Sequence, residues 1–336
     1  MQQIRPIIGI TMGDPVGIGP EIILQALKDP LIYQTCRPFV LGDIHILESA
    51  AGCIKNSPDL LAIAHPQSAK YIYGKIDVMV LSDLDPDSIK WGKPDASTGK
   101  AMIEYITTAI DMATEKKIDA MVTCPINKTA MKLAGSEFTG HTEMLAERTS
   151  TDKYAMMLAG SKLKVALVTI HEPIAKVASM LKTDKIISVI ELTDQELYRR
   201  FNVASPHIAV AALNPHAGEN GLFGDEEKRI IEPAIKIARK KGLNVSGPIS
   251  PDTLFFPPVS DQFDAVVCMY HDQGLIPFKM IHFTDGVNIT LGLPIIRTSV
   301  DHGTAYDIAG NGKADPGSLI AAIRSAADQV ACISEQ

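Results

Sequence analysis

The sequence predicts an α/β protein with three-layer α/β/α packing. Three observations carry that reading. Short runs that are apolar throughout recur along the chain, as strands covered on both faces of a parallel sheet do. Helix-period segments alternate with them. The chain has 336 residues, 46% hydrophobic and 21% charged, which suits two domains with substantial cores.

Taken in order, the first strand is expected at Ile7–Thr11, an apolar run with no charge. A glycine-punctuated turn leads to a helix over Pro20–Leu27, with proline in the first turn where a missing N–H costs nothing. Strands follow at Phe39–Leu41, Val78–Leu81 and Ala120–Thr123, with a helix over Thr98–Glu115 before the last. Val165–Ile170, Ile208–Leu213, Ala265–Met269 and Val287–Leu291 read as further strands. Thr183–Arg199, Glu226–Lys240 and Pro316–Ala327 read as helices. No internal repeat or low-complexity tract interrupts the pattern.

Several classes are disfavoured at once. The formal net charge is -7 and no basic stripe is visible, so nucleic acid is not an expected partner. The start, Met1-Gln2-Gln3-Ile4-Arg5-Pro6, runs straight into strand-like sequence without a secretory pattern. No apolar run approaches the roughly 20 residues of a membrane span, so no membrane is expected either. Cys36, Cys53, Cys124, Cys268 and Cys332 are scattered and unpaired in spacing, which fits a reducing cytoplasm rather than a disulfide framework. An acidic chain that handles an anion must gather its cations locally.

The strongest chemical signal is where the strands stop. Val165–Ile170 runs into His171-Glu172-Pro173, Ile208–Leu213 into Asn214-Pro215-His216, and Ala265–Met269 into Tyr270-His271-Asp272. Ligands of α/β sheets gather outside the carboxyl ends of strands. His171, His216 and His271 lie 45 and 55 residues apart, so only the fold could assemble them. Three neutral imidazoles with an open position make a catalytic metal site. Each alone is equally explained as a loop histidine satisfying a backbone group.

Other segments are weaker pointers. Thr139-Gly140-His141-Thr142-Glu143 precedes helix-type sequence at Met144–Arg148; Thr142 or its neighbours could cap that helix, and its amide groups could hold an anion, although ordinary capping would look the same. Gly13-Asp14-Pro15-Val16-Gly17-Ile18-Gly19-Pro20-Glu21 follows a strand but departs from the G-x-G-x-x-G dinucleotide pattern, and a plain strand-to-helix turn would look the same. Lys279 and Arg297 are candidates for a phosphate or carboxylate, Lys as a point charge and Arg as a planar fork. The loop from His302 through Gly303, Asp307 and Gly310 to Lys313 could wrap an adenosine, with Asp307 accepting from a hydroxyl.

Gly13–Glu21, Thr139–Glu143, Leu213–Glu219 (LNPHAGE), Asp252–Phe255 (DTLF), Tyr270–Gly274 (YHDQG) and Gly286–Gly303 together resemble the 4-hydroxythreonine-4-phosphate dehydrogenase family, from about residue 6 to 320. The late loop also resembles the adenosine loop of isocitrate and isopropylmalate dehydrogenases. The resemblance implies two α/β domains with a cleft between them, residues 1–128 plus 297–336 forming one and 129–296 the other. It implies a divalent metal (zinc, cobalt or magnesium) on His171, His216 and His271, and a homodimer with its site at the interface, His271 coming from the partner. Substrate contacts would be His141, Thr142, Lys279, Asn288 and Arg297, and NAD would lie along His302, Gly303, Asp307 and Gly310. Asp252 would orient a ligand or relay a proton.

The implied reaction oxidises 4-phosphooxy-L-threonine with NAD and then releases CO2, giving 3-amino-2-oxopropyl phosphate for pyridoxal 5'-phosphate synthesis. Cys124 departs from the small residue expected at its place. A homologous branch oxidising 4-phospho-D-threonate or 4-phospho-D-erythronate would keep the same metal, phosphate and NAD residues, although Leu275–Lys279 looks closer to the biosynthetic branch. A phosphate acyltransferase of related fold would have no need of three metal histidines, and a non-catalytic metabolite binder would need no redox metal site.

Overall fold

The computed structural model describes residues 5–138 and 140–335. Met1–Ile4, which open the expected leaderless start, and Thr139, within the Thr139–Glu143 motif, lie outside the described residues. Among the described residues the strands are β1 (Ile7–Thr11), β2 (Arg37–Gly42), β3 (Asp59–Ile63), β4 (Lys75–Val80), β5 (Ala120–Thr123), β6 (Ala155–Ala159), β7 (Lys164–Leu167), β8 (His207–Ala211), β9 (Asn244–Ile249), β10 (Ala265–Cys268), β11 (Val287–Leu291) and β12 (Arg297–Val300). The class is mixed α/β, as predicted. No helix is long and apolar enough to cross a membrane among the described residues.

The chain forms two compact units, 1–152 with 293–331 and 153–292 with 332–336. In the first, the strand order is β3-β4-β2-β1-β5-β12 and every pairing is parallel. The chain builds outward from β1 through β2, then places β5 on the other side of β1. That reversal makes the carboxyl ends of β1 and β5 a topological switch point. In the second unit the order is β11-β6-β7-β10-β8-β9, with β11-β6-β7 antiparallel and the remaining pairs parallel.

The sequence places 129–152 in the second domain, whereas by contact these residues group with the first unit. The reason is packing. Helices Lys128–Leu133 and His141–Arg148 lie on helix Ala96–Thr114, and Met131, Met144 and Leu145 share a core with Met102, Ile106 and Ile110. Each such buried side chain contributes about 1.5–3 kcal/mol. Arg148 adds a hydrogen bond to Asp111 at 2.6 Å. The second unit has its own core of Leu158, Val165, Leu167, Val266, Leu275 and Phe278.

Four strands lie outside those the sequence pattern predicts. β3 and β9 are edge strands, half-covered, and β9 carries Gly247-Pro248. β6 is rich in Met and Ala, and β12 (RTSV) is buried yet polar. The helix predicted from Pro20 begins at Gly19, where a Cβ would sit 2.0 Å from the Met12 carbonyl oxygen. Only glycine lets the helix start that close to the end of β1.

Candidate active site

In the second unit, β7, β10 and β8 are adjacent and parallel, so their carboxyl ends deliver His171, His271 and His216 to one edge of the sheet. His171 and His271 lie with ring centroids 5.7 Å apart. Asp272 Oδ1 pairs with His271 Nδ1 at 2.7 Å, which sets the ring's orientation and leaves Nε2 for a ligand. Together with Glu172, Pro173 and Tyr270 these residues line a cavity of about 390 Å³. His216 is not drawn into that pair. Among the described residues no three His, Cys, Asp or Glu side chains converge as a ready metal site.

His216 instead sits beside Asp252. The Asp252 carboxyl is exposed and held below its usual range, first by the hydrogen bond from Ser250, with the nearby His216 a lesser cause. His216 opens a rare stretch of backbone: His216, Ala217, Gly218, Glu219 and Asn220 all have positive φ, at 51°, 53°, 79°, 41° and 58°. The strand ends themselves are tied by the buried Gln273. Its Oε1 accepts from the Met269 N–H at 2.7 Å and its Nε2 donates to the Ala212 carbonyl at 2.6 Å. Lys279 falls in the last turn of helix His271–Ile281, half-buried, and Asn288 is half-buried on β11 opposite Leu158.

The first unit gathers a different set. Arg297 opens β12, is 3% exposed, and donates to Thr123 Oγ1 from Nη2 at 2.7 Å and from Nε at 3.2 Å. Burial pushes its guanidinium from 12.5 down to about 9. A desolvated guanidinium is a strong receptor for a phosphate or carboxylate, whose charge restores what water supplied. His141 starts the helix His141–Arg148, and its Nε2 is shut from solvent with no hydrogen-bond partner. Burial first, and then the Arg297 charge, hold this imidazole well below 6.5, so it is neutral. Thr142, half-buried, does not cap the helix: the cap position is Gly140 and carries no side-chain cap bond.

The glycine-rich start turns out to frame the late loop. Ile18 N–H donates to the Thr304 carbonyl at 3.1 Å, and a Cβ on Gly17 would meet Thr304 at 3.1 Å. Tyr306 donates its hydroxyl to Asp14, and Val16 N–H donates to the same carboxylate at 3.1 Å. Burial raises the Asp14 pKa against the pull of those bonds. Glu21, fully buried, accepts from Gly310 N–H and from Asn311 N–H, the latter at 3.2 Å. Gly310 has φ 80° and packs so close to Trp91 that a Cβ would meet the indole at 2.6 Å. His302 is half-buried with Nδ1 3.1 Å from the Gly303 carbonyl, while Gly303 and Asp307 are exposed.

Sequence reasoning passes over the residues that hold the others: Thr123, Glu21 and Tyr306 in one unit, Gln273, Asp272 and Glu227 in the other. One of them carries a signal. Glu227 falls on the inward stripe Glu227, Ile230, Ile231, Ala234, Ile235 and Ala238, at the spacing of a buried helix face. A carboxylate at such a position is expensive unless something satisfies it.

Two strand-end clusters, one of imidazoles and one of a buried cation with a braced glycine loop, are the layout of a small-molecule α/β protein. The family model described as "Pyridoxal phosphate biosynthetic protein PdxA" matches residues 34–326. A 4-hydroxythreonine-4-phosphate dehydrogenase of Desulforapulum autotrophicum is 60% identical over 325 residues, covering 97% of this chain and 96% of that protein. A D-threonate 4-phosphate dehydrogenase of Cupriavidus necator is 46% identical, covering 98% of each. The crystal structure of 4-hydroxythreonine-4-phosphate dehydrogenase from Klebsiella pneumoniae superposes with a TM-score of 0.88 at 42% identity, over 98% of this chain and 100% of that one. The chain belongs to the PdxA family.

Proposed function

We propose that this protein is an NAD-linked, metal-dependent dehydrogenase that oxidises and decarboxylates 4-phosphooxy-L-threonine in pyridoxal 5'-phosphate biosynthesis. The observation that carries the reading is the identity of 60% over 97% of the chain to a relative named for that activity. The geometry supports it in three places.

The metal ligands would be His171, His216 and His271. They follow the carboxyl ends of the adjacent parallel strands β7, β8 and β10. Imidazole donors suit zinc or cobalt, with magnesium the oxygen-loving alternative. When bound, such a cation supplies Lewis acidity at a hydroxyl and a developing carbonyl oxygen. His271 is oriented for this by Asp272, and Asp252 stays ionised beside His216, able to take up a proton. In the first unit Arg297 would receive the phosphate and His141 and Thr142 would hold substrate oxygens; in the second, Lys279 and Asn288 are further candidate substrate contacts. Neutral His141 presents its buried, unpartnered Nε2 without adding charge. His302, Gly303, Asp307 and Gly310, on the loop that Glu21 and Asp14 brace, would hold NAD, which would supply the hydride acceptor.

A homodimer completes the reading, with His271 serving the partner's site. Large apolar side chains stand exposed in the second unit: Ile174 at 71% and Leu222 at 73% beside the loops of His171 and His216, and Met280 at 83% and Phe283 at 79% at the far end of helix His271–Ile281. Surfaces of that kind ask for a partner. The enzyme acts in the cytoplasm on this reading.

The second reading, a sugar-acid phosphate dehydrogenase, is favoured by the relative named for D-threonate 4-phosphate. NADH formation with added zinc, cobalt or magnesium separates them, comparing 4-phosphooxy-L-threonine with 4-phospho-D-threonate and 4-phospho-D-erythronate. The amino acid should turn over fastest. Preference for a sugar acid would transfer the same residues to a catabolic reaction, and no turnover of any would reject both.

A further inference from the structure

We propose that Glu227, through Asn214, is a positioning residue that holds the left-handed His216 loop in the shape that presents His216. This rests on the reading of His216 as a metal ligand. Four residues other than glycine (His216, Ala217, Glu219, Asn220) occupy left-handed backbone in one stretch. That conformation is disfavoured for each such residue, because its Cβ crowds the following carbonyl oxygen. It persists only where the surroundings over-determine it.

The over-determination centres on the Glu227 carboxylate, with Glu226 and Lys228 beside it. Glu227 is 3% exposed. Its Oε1 accepts from Leu213 N–H at 2.8 Å and from Asn214 N–H at 2.7 Å. Its Oε2 accepts from Asn214 Nδ2 at 3.0 Å, and the same amide nitrogen donates to Glu226 Oε2 at 2.7 Å. The loop then folds back over the carboxylate: a Cβ on Gly218 would stand 2.7 Å from Glu227 Oε2. Lys228 Nζ donates to the Asn220 carbonyl at 2.7 Å and closes the far end. Glu227 begins a π-helical turn, Glu227–Ile231, a wide turn of the sort found where a helix serves a site. This inward carboxylate thus spends both its oxygens on the two residues leading into the His216 loop.

The test uses the full-length protein and zinc ion as the probe. Glu227→Gln keeps the size of the side chain but sets an amide donor against Asn214 Nδ2. We expect amide hydrogen exchange across residues 213–222 to quicken about tenfold. Zinc affinity should weaken by about 10–100-fold, the scale for losing a group that orients a ligand. Turnover should fall while KM for NAD stays put. Asn214→Asp, which places a third carboxylate beside Glu226 and Glu227, should give the same pattern more strongly. Both are measured well below each variant's Tm, so that a merely structural role would lower Tm and leave zinc affinity alone. Wild-type exchange and wild-type zinc affinity in both variants would overturn the proposal, as would lower Tm alone. His216→Ala separates the two ideas: if it binds zinc as tightly as wild type, the ligand assignment fails, and the exchange across 213–222 alone decides whether Glu227 holds the loop.

Discussion

The two units place chemistry at strand ends by opposite means. In the first, the charged groups are buried and bonded into the fold before any ligand arrives. Arg297 rests on Thr123, and Asp14 and Glu21 grip the loop that follows β12. In the second, His171 and His216 are exposed and His271 is half-buried. No three ligand-type side chains there converge among the described residues. A guanidinium can be stored dry when hydrogen bonds satisfy it, because its charge does not titrate away near neutral pH. In the first unit the charged groups are therefore fixed by the fold itself, whereas in the second the strand-end imidazoles stand open.

Substitutions in the two units should fail differently, which makes the contrast testable. The largest loss is expected from His216→Ala, with kcat falling on the order of 10²–10³-fold, the scale of removing an electrostatic catalyst. Its Tm should barely move, because the side chain is exposed. Near-normal turnover after chelation of that variant would remove the metal from the second unit.

Next comes Arg297→Ala. KM for the phosphorylated substrate should rise about 10–100-fold, from about 1.5–3 kcal/mol per charge-assisted bond. KM for NAD should hold, and an equal rise in both would show that Arg297 shapes the whole unit rather than the phosphate site.

A smaller effect belongs to Glu21→Gln, which keeps one acceptor for the Gly310 and Asn311 amides but removes the charge. KM for NAD should rise several-fold, about 1 kcal/mol, with phosphate KM unchanged. A change in the phosphate KM instead would place the brace with the substrate.

The smallest effect is in stability against pH. The folded His141 imidazole titrates well below 6.5, because burial and then Arg297 disfavour its charge. As pH falls through 6.5 the unfolded chain gains a proton that the folded chain does not, so this residue makes stability decline with acid and leaves it intact above that range. In His141→Gln, urea midpoints between neutral pH and the folded imidazole's range should vary less, by one proton's worth of slope. An unchanged slope would mean that His141 is not kept neutral.

Much of the fold is legible in the order of residues alone. Apolar runs mark β1 and β5 to the residue, because a strand covered on both faces has few polar positions to confuse the pattern, and β11 is marked too although Asn288 and Thr290 interrupt it. The strand-end histidines are visible for the same reason, since polarity resumes where cover ends. β12 is not, because Arg297-Thr298-Ser299 are buried and polar, and Arg297 and Thr298 find their partners in Thr123 and Ala322, far along the chain. Residues 129–152, which the sequence assigns to the second domain, group by contact with the first unit, because their short helices pack on the face of helix Ala96–Thr114.

The class, the three strand-end imidazoles and the family are written in the linear chain, because all three are properties of local pattern and order. The groups that support the site are chosen by the fold. Thr123 lies 174 residues from Arg297, Glu21 lies 289 from Gly310, and Glu227 reaches back 14 to Leu213. A hydrogen bond is satisfied by proximity in space, and for buried polar groups that proximity is set by how the sheets order their strands.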